Sequence, residues 1–265
     1  MTDFTKIVNT TILFVLSGFC FQTGIFLCSG HLFKQNARRT LVFIDFFTGF
    51  LLLFDALAYI YRGNSSPLGY YMVRLSNFFV FIGNFSASFF FCFYVCEFIK
   101  QSRLSFSLIL NPRSSVKDGI PVQLFIVFFI CLFGILLTVV SQFTHIFYYF
   151  DEQNLYHRST LYPVSTILGL LPSLITLTML VQNRKKLSKN VFVSLLIYFI
   201  LPLIGIAMIL LVYGFSWINI SLGLGALHLF FSSIKLMELE FYSGKSGVPV
   251  LNPVYKSNDD SAAAM

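Results

Sequence analysis

The sequence predicts an all-α fold, a polytopic membrane protein with a seven-transmembrane helix bundle, N-terminus outside and C-terminus inside. Three observations predict it. Of the 265 residues, 57% are hydrophobic and only 11% charged, with a mean hydropathy of +0.80, whereas soluble domains carry about 25% charge. Seven stretches are long and apolar enough to cross a bilayer. Lysine and arginine collect on alternate connections. The first observation excludes an ordinary water-soluble enzyme, and the aromatic share of 18% excludes an unfoldable chain.

A helix needs about 20 mostly apolar residues to cross roughly 30 Å of hydrocarbon. Such stretches occupy about 7–30, 40–61, 70–98, 120–142, 159–182, 190–213 and 217–237. They do not alternate apolar and polar residues as barrel strands do; Phe192 to Val212 is nearly unbroken apolar sequence. The first stretch is long for a signal-peptide core, and no small-residue cleavage site follows it. The bundle is expected over 1–240, with 241–265 a flexible cytoplasmic tail rich in Gly, Ser, Pro and Asn. No connection approaches the roughly 40 residues below which chains rarely fold alone, so no separate catalytic domain is expected.

Orientation follows from the positive-inside bias. Fourteen of the 18 basic residues, from Lys34 through Lys100, the Arg184–Lys186 run and the tail lysines, fall on one side. Only Lys6, Arg62, Arg74 and Arg158 fall on the other. The net charge of +7 then belongs to the cytoplasmic rim and not to a nucleic-acid footprint.

Span 2 carries Asp45 and Asp55, span 3 carries Arg74 and Glu97, and span 7 carries His228. Ionisable groups inside a membrane are costly, so they are the default functional candidates. At 1.5 Å per residue, Asp55 lies about 9 Å and Arg74 about 6 Å from the outer ends of their helices. Matched depth and opposite sign predict an Asp55–Arg74 ion pair. Arg74, Asn77, Phe81, Asn84 and Ser88 share one face of span 3, and Asp45, Thr48, Leu52, Asp55 and Tyr59 share one face of span 2. Two such stripes are expected to face each other as packing, or to line a polar pocket with His228 on span 7.

The long outer connection after span 4, Phe143 to Tyr162, holds His145, Asp151, Glu152, His157 and Arg158 among seven aromatic residues. It reads either as an interfacial aromatic belt or as a lid over an extracellular ligand site. Pro172, Pro202 and Gly205 fall inside spans 5 and 6 and are expected to bend them. Tyr213–Ser216 joins spans 6 and 7 so tightly that they must be antiparallel neighbours. Span 7 places Gly223, Gly225 and Ala226 beside His228, which lets a neighbouring helix come close.

No catalytic motif, phosphate loop or metal-ligand spacing is present, and no cofactor is expected. The five cysteines all lie in apolar spans, which argues against a disulfide framework. Seven helices with the N-terminus outside look superficially like a G-protein-coupled receptor. However, span 3 ends Cys96-Glu97-Phe98 without an acidic–Arg–aromatic triad, and Asn252-Pro253-Val254-Tyr255 falls in the tail. A small transporter or channel is the other alternative, although no repeat relates the two halves.

Two stretches carry a resemblance. Leu53-Phe54-Asp55-Ala56-Leu57-Ala58-Tyr59-Ile60-Tyr61-Arg62-Gly63 runs into Met72-Val73-Arg74-Leu75-Ser76-Asn77-Phe78. Leu201-Pro202-Leu203-Ile204-Gly205 precedes Tyr213-Gly214-Phe215-Ser216-Trp217-Ile218-Asn219, and His157-Arg158-Ser159 also fits. Over most of 1–237 the chain resembles the seven-helix N-terminal sensory regions of Firmicute, clostridial-type membrane histidine kinases and GGDEF diguanylate cyclases. The resemblance implies a bacterial plasma-membrane sensor or receptor-like input module for signal transduction, responding to an unidentified ligand or to the bilayer. In that family the last helix leads into an output domain. Here only a short polar segment follows Glu240, so enzymatic activity is not carried over. The chain is expected to act through a cytoplasmic signalling partner or a homodimer, as a sensor fragment or a free-standing receptor.

Overall fold

The computed structural model describes residues 3–29, 38–101, 104–110, 112–117, 119–212 and 214–246. Seven long helices dominate: α1 (Asp3–Ser29), α2 (Arg38–Tyr61), α3 (Pro67–Lys100), α5 (Val122–Thr144), α6 (Tyr162–Gln182), α7 (Lys189–Leu211) and α8 (Trp217–Ser246). All seven are long and apolar enough to cross a membrane. A short α4 (Pro112–Lys117) and a 3₁₀ turn at Phe106–Leu110 lie between α3 and α5. Strands β1 (Tyr148–Phe150) and β2 (Tyr156–Arg158) form an antiparallel hairpin between α5 and α6, pairing Tyr149 with His157. The fold is all-α apart from that hairpin. The hairpin end of the bundle lies opposite a lysine end that carries Lys100, Lys185 and Lys186.

The helix limits follow local chemistry. Ser66 caps α3, its hydroxyl accepting from Gly69 N at 3.0 Å, with Pro67 in the first turn where its missing N–H costs nothing. At the other end Gln101 turns left-handed at φ 52° and donates back to the final carbonyls. Ser188 caps α7 in the same way as Ser66. Pro172 and Pro202 lie inside α6 and α7, which continue through them. Helix α8 extends through Ser246, so the first residues of the expected tail are helical. Residues 247–265 and the basic Lys34 and Arg103 lie outside the described residues.

Helix α2 sits at the centre, packed most extensively on α1 and α3, with α8 covering α1 and α2 and pairing with α7. Helices α5 and α6 close the other side of α3. Two close approaches set this core. A Cβ on Gly83 of α3 would stand 2.9 Å from Leu51 Cβ, and one on Gly223 of α8 would stand 2.8 Å from Leu52 Cδ1. Small residues matter here because helices in lipid associate by van der Waals contact and not by a hydrophobic driving force. Phe106 of the 3₁₀ turn folds back against Phe93, at 4.7 Å between ring centroids, and edge-on to Phe43 and Phe90. Outward faces expose large apolar side chains, such as Phe129, Phe133 and Leu136 on α5 and Ile167 and Leu174 on α6. An exposed apolar surface of that kind suits lipid and not water.

Candidate functional site

Three helices converge on Asp55 at the hairpin end. Asn219, in the first turn of α8, donates from Nδ2 to Asp55 Oδ2 at 2.7 Å, with the Ser216 hydroxyl also beside the carboxylate. Ser216 N donates to Asn9 Oδ1 of α1 at 3.0 Å, and Ser216 Oγ donates to Tyr59 OH at 3.3 Å. Asp55 is 7% exposed. The result is a hydrogen-bonded layer that ties α1, α2 and the start of α8 together.

The expected Asp55–Arg74 ion pair does not form. Arg74 points the other way, toward the hairpin. Its Nη1 donates to Tyr70 O at 2.9 Å and to Asn154 Oδ1 at 2.8 Å, and its guanidinium lies 3.5 Å over the Tyr70 ring and 4.9 Å from that of Phe150. The reason is azimuth. The two charges share a depth, but α2 meets α3 through Leu51 at Gly83 and Phe54 on Phe79, positions on either side of the Arg74 stripe and not in it. Depth alone therefore does not pair the two charges. Phe81, in the middle of the α3 stripe, stacks on Tyr148 of β1 at 5.3 Å. Asn77 donates to Val73 O within its own helix, and Asn84 is half-buried on the same face.

The outer connection is a built hairpin clamped by Asn154. This residue is 4% exposed and holds φ 57°, a left-handed conformation that asparagine tolerates. Its Nδ2 donates to Asn64 O at 2.8 Å, its carbonyl accepts from Gly63 N at 3.2 Å, and its Oδ1 receives Arg74. One side chain thus joins the hairpin to α3 and to the α2–α3 turn. Of the five lid candidates, Asp151 and His157 come together. Asp151 organises the hairpin turn, its Oδ1 accepting from Gln153 N and Leu155 N and its Oδ2 meeting His157 Nε2 at 2.7 Å. The His157 hydrogen bond, with the backbone amides, holds the Asp151 carboxyl below the usual range. Glu152 is exposed, Arg158 lies over Tyr162 at 4.5 Å, and His145 caps α5 at φ 58°. Burial pushes the Tyr148 phenol up to about 12 and the Tyr156 phenol up as well.

Below Asp55 the bundle closes on leucine. Leu13, Leu51 and Leu52 are fully buried, and Leu52 and Leu16 fill the notch at Gly223. Deeper, toward the lysine end, lies a second polar layer. Asp45 and Thr48 are fully buried, and neither carboxylate oxygen nor Thr48 Oγ1 has a hydrogen-bond partner among the described residues. Thr23 stands beside Asp45, although its hydroxyl donates to Cys20 O at 2.9 Å. Tyr198 of α7, whose hydroxyl is also without a partner among the described residues, stacks on Phe91, and Tyr94 bonds Ser233 Oγ at 2.9 Å. Glu97 is separate: its Oε1 accepts from Leu104 N at 3.2 Å and holds the chain leaving α3.

His228 belongs to neither layer. It is half-buried, and its Nε2 meets Ser232 Oγ of its own helix at 3.3 Å. Among the described residues no three His, Cys, Asp or Glu side chains come together as a metal site. The cysteines are free thiols. Sequence reading missed Asn219, Asn9, Asn154 and Tyr198. Of these Asn154 had a signal, since an asparagine ending a polar turn between two aromatic runs suits a left-handed hairpin position. Comparison of the chain with protein-family models, with curated proteins and with solved structures finds no match.

Proposed function

We propose that the chain is a sensory input module of the plasma membrane, hairpin end outward, that conveys a stimulus to the cytoplasmic end of α8. The observation that carries this reading is the buried Asp55–Asn219 bond. It couples the outer half of α2 to the first turn of the helix that crosses to the opposite face. Asn154 and Arg74 extend the coupling to the hairpin, so a ligand or a bilayer change that moved the hairpin would strain α3, the α2–α3 turn and then α8. The response is a population shift, and it requires the stimulus to favour one arrangement of this layer over another.

Orientation is supported by the positive-inside bias. A cavity of about 560 Å³ at the lysine end is lined by Lys100, Lys185 and Lys186, which suits a cytoplasmic surface. The leucine layer disfavours a transporter, because a permeant ion would need a polar path from Asp55 to Asp45. Output passes to a cytoplasmic partner or a second copy, and the reading is not an enzymatic one.

The test is a chimaera in which α8 continues into a diguanylate cyclase domain. Asn154→Gly and Asp55→Asn should each change cyclic dinucleotide output by about fivefold or more at matched expression. Unchanged output from both variants, or cation flux in proteoliposomes of the wild-type chain, would contradict the proposal.

A further inference from the structure

Hydroxyl side chains inside spanning helices commonly donate to a carbonyl one turn back, since no water competes for the proton. Thr10, Thr138 and Thr176 do so at 2.7, 2.8 and 2.7 Å. Thr48 does not. It is fully buried, its Oγ1 has no partner among the described residues, and it stands one turn from Asp45, whose two oxygens share that condition. The Tyr198 hydroxyl is another such group, on a side chain 5% exposed that stacks on Phe91 and packs against Gly225 of α8. Buried polar atoms are almost always partnered, so a cluster of exceptions calls for something that fills it.

We infer that Asp45, Thr48, Thr23 and Tyr198 bind a sodium-sized monovalent cation inside the bundle. Charge selects a cation. A buried carboxylate is costly alone, and among the described residues no lysine or arginine pairs with Asp45. Water bridges oxygens but leaves the charge, while a proton neutralises the charge but satisfies a single oxygen. The donors select the kind of cation. Carboxylate and hydroxyl oxygens are hard ligands suited to alkali and alkaline-earth ions. One carboxylate balances one positive charge, so a divalent ion would leave net charge in the hydrocarbon. Gly24 brings α1 close at this level, 3.6 Å from Asp45 Cβ to where a glycine Cβ would stand, so that Thr23 reaches the site. Bound there, the ion links α7 to α1 and α2, giving α7 a tie beyond its contacts with α8 and α6 and the packing of Tyr198 and Phe199 on Phe91 of α3.

This site stands apart from the sensory reading, which rests on Asp55. Thermal unfolding of the full chain in detergent tests it, with NaCl exchanged for choline chloride at constant ionic strength. The wild type should gain about 3–6 °C at sodium tenfold above half-saturation. Asp45→Asn should show no sodium dependence. If that variant does not fold, Thr48→Val and Tyr198→Phe decide the matter, each raising the half-saturating sodium concentration about tenfold. Equal melting temperatures for the wild type in sodium and choline would overturn the site. So would an Asp45→Asn variant that keeps the full shift, or half-saturation unmoved in both Thr48→Val and Tyr198→Phe.

Discussion

Asp45 and Asp55 lie ten positions apart on α2 and share one face, yet their surroundings solve the problem of a buried acid in opposite ways. Asp55 is served from within the chain: Asn219 donates to it, and Ser216 stands beside it. Asp45 has the Thr23 hydroxyl beside it but receives no hydrogen bond among the described residues. Leu13, Leu16, Leu51 and Leu52 separate the two layers. The lesson is that one helix stripe can carry two unlike devices, a staple that couples helices and a set of acceptors that a small ion completes.

The sharpest way to break this comparison is to remove each acid's support in turn. Asn219→Ala leaves the buried Asp55 carboxylate short of its main donor and should lower stability by about 2–3 kcal/mol, measured by thermal or denaturant unfolding in detergent. A loss below about 0.5 kcal/mol would mean the staple contributes little. Next, Asn154→Gly keeps the left-handed backbone but deletes the side chain that joins Arg74 to Asn64. A loss of about 1–2 kcal/mol is expected, with faster amide exchange at Gly63 and in the hairpin. In sodium-free buffer Asp45→Asn should instead be neutral or stabilising by up to about 1 kcal/mol, because it removes an unpaired buried charge. Destabilisation equal to that of Asn219→Ala would erase the contrast.

The smallest effect concerns the hairpin turn. Asp151 is held below its ordinary value by His157 and the turn amides. Its contribution is therefore fully present above the unfolded carboxyl range, near about 3.9, and is lost as pH falls through the lower folded value. Amide exchange at Gln153 and Leu155 should accelerate only below about pH 4. Acceleration already at pH 6 would place the control elsewhere.

Helix positions were legible in the sequence because span length is imposed by the bilayer. Observed limits such as Arg38–Tyr61 and Tyr162–Gln182 lie within a few residues of the expected 40–61 and 159–182. Contacts across helices were less legible. Spacing shows that Arg74, Asn77 and Phe81 share a face, but not which neighbour that face meets, and depth alone suggested the absent Asp55–Arg74 pair. Tyr198 was hidden in an unbroken apolar run, and Asn219 lacks a charge to draw notice. The hairpin was read as belt or lid because aromatic content masked the turn chemistry of Asp151 and Asn154.

Everything functional here depends on which end of the bundle faces out. In a cysteine-free background, Gln153→Cys at the hairpin and Lys185→Cys at the lysine end can be probed with a membrane-impermeant maleimide on intact cells. Gln153→Cys should label without permeabilisation and Lys185→Cys only after it. Labelling of both from the same side would contradict the seven-span topology, and the reverse pattern would place the proposed sensor end inside the cell.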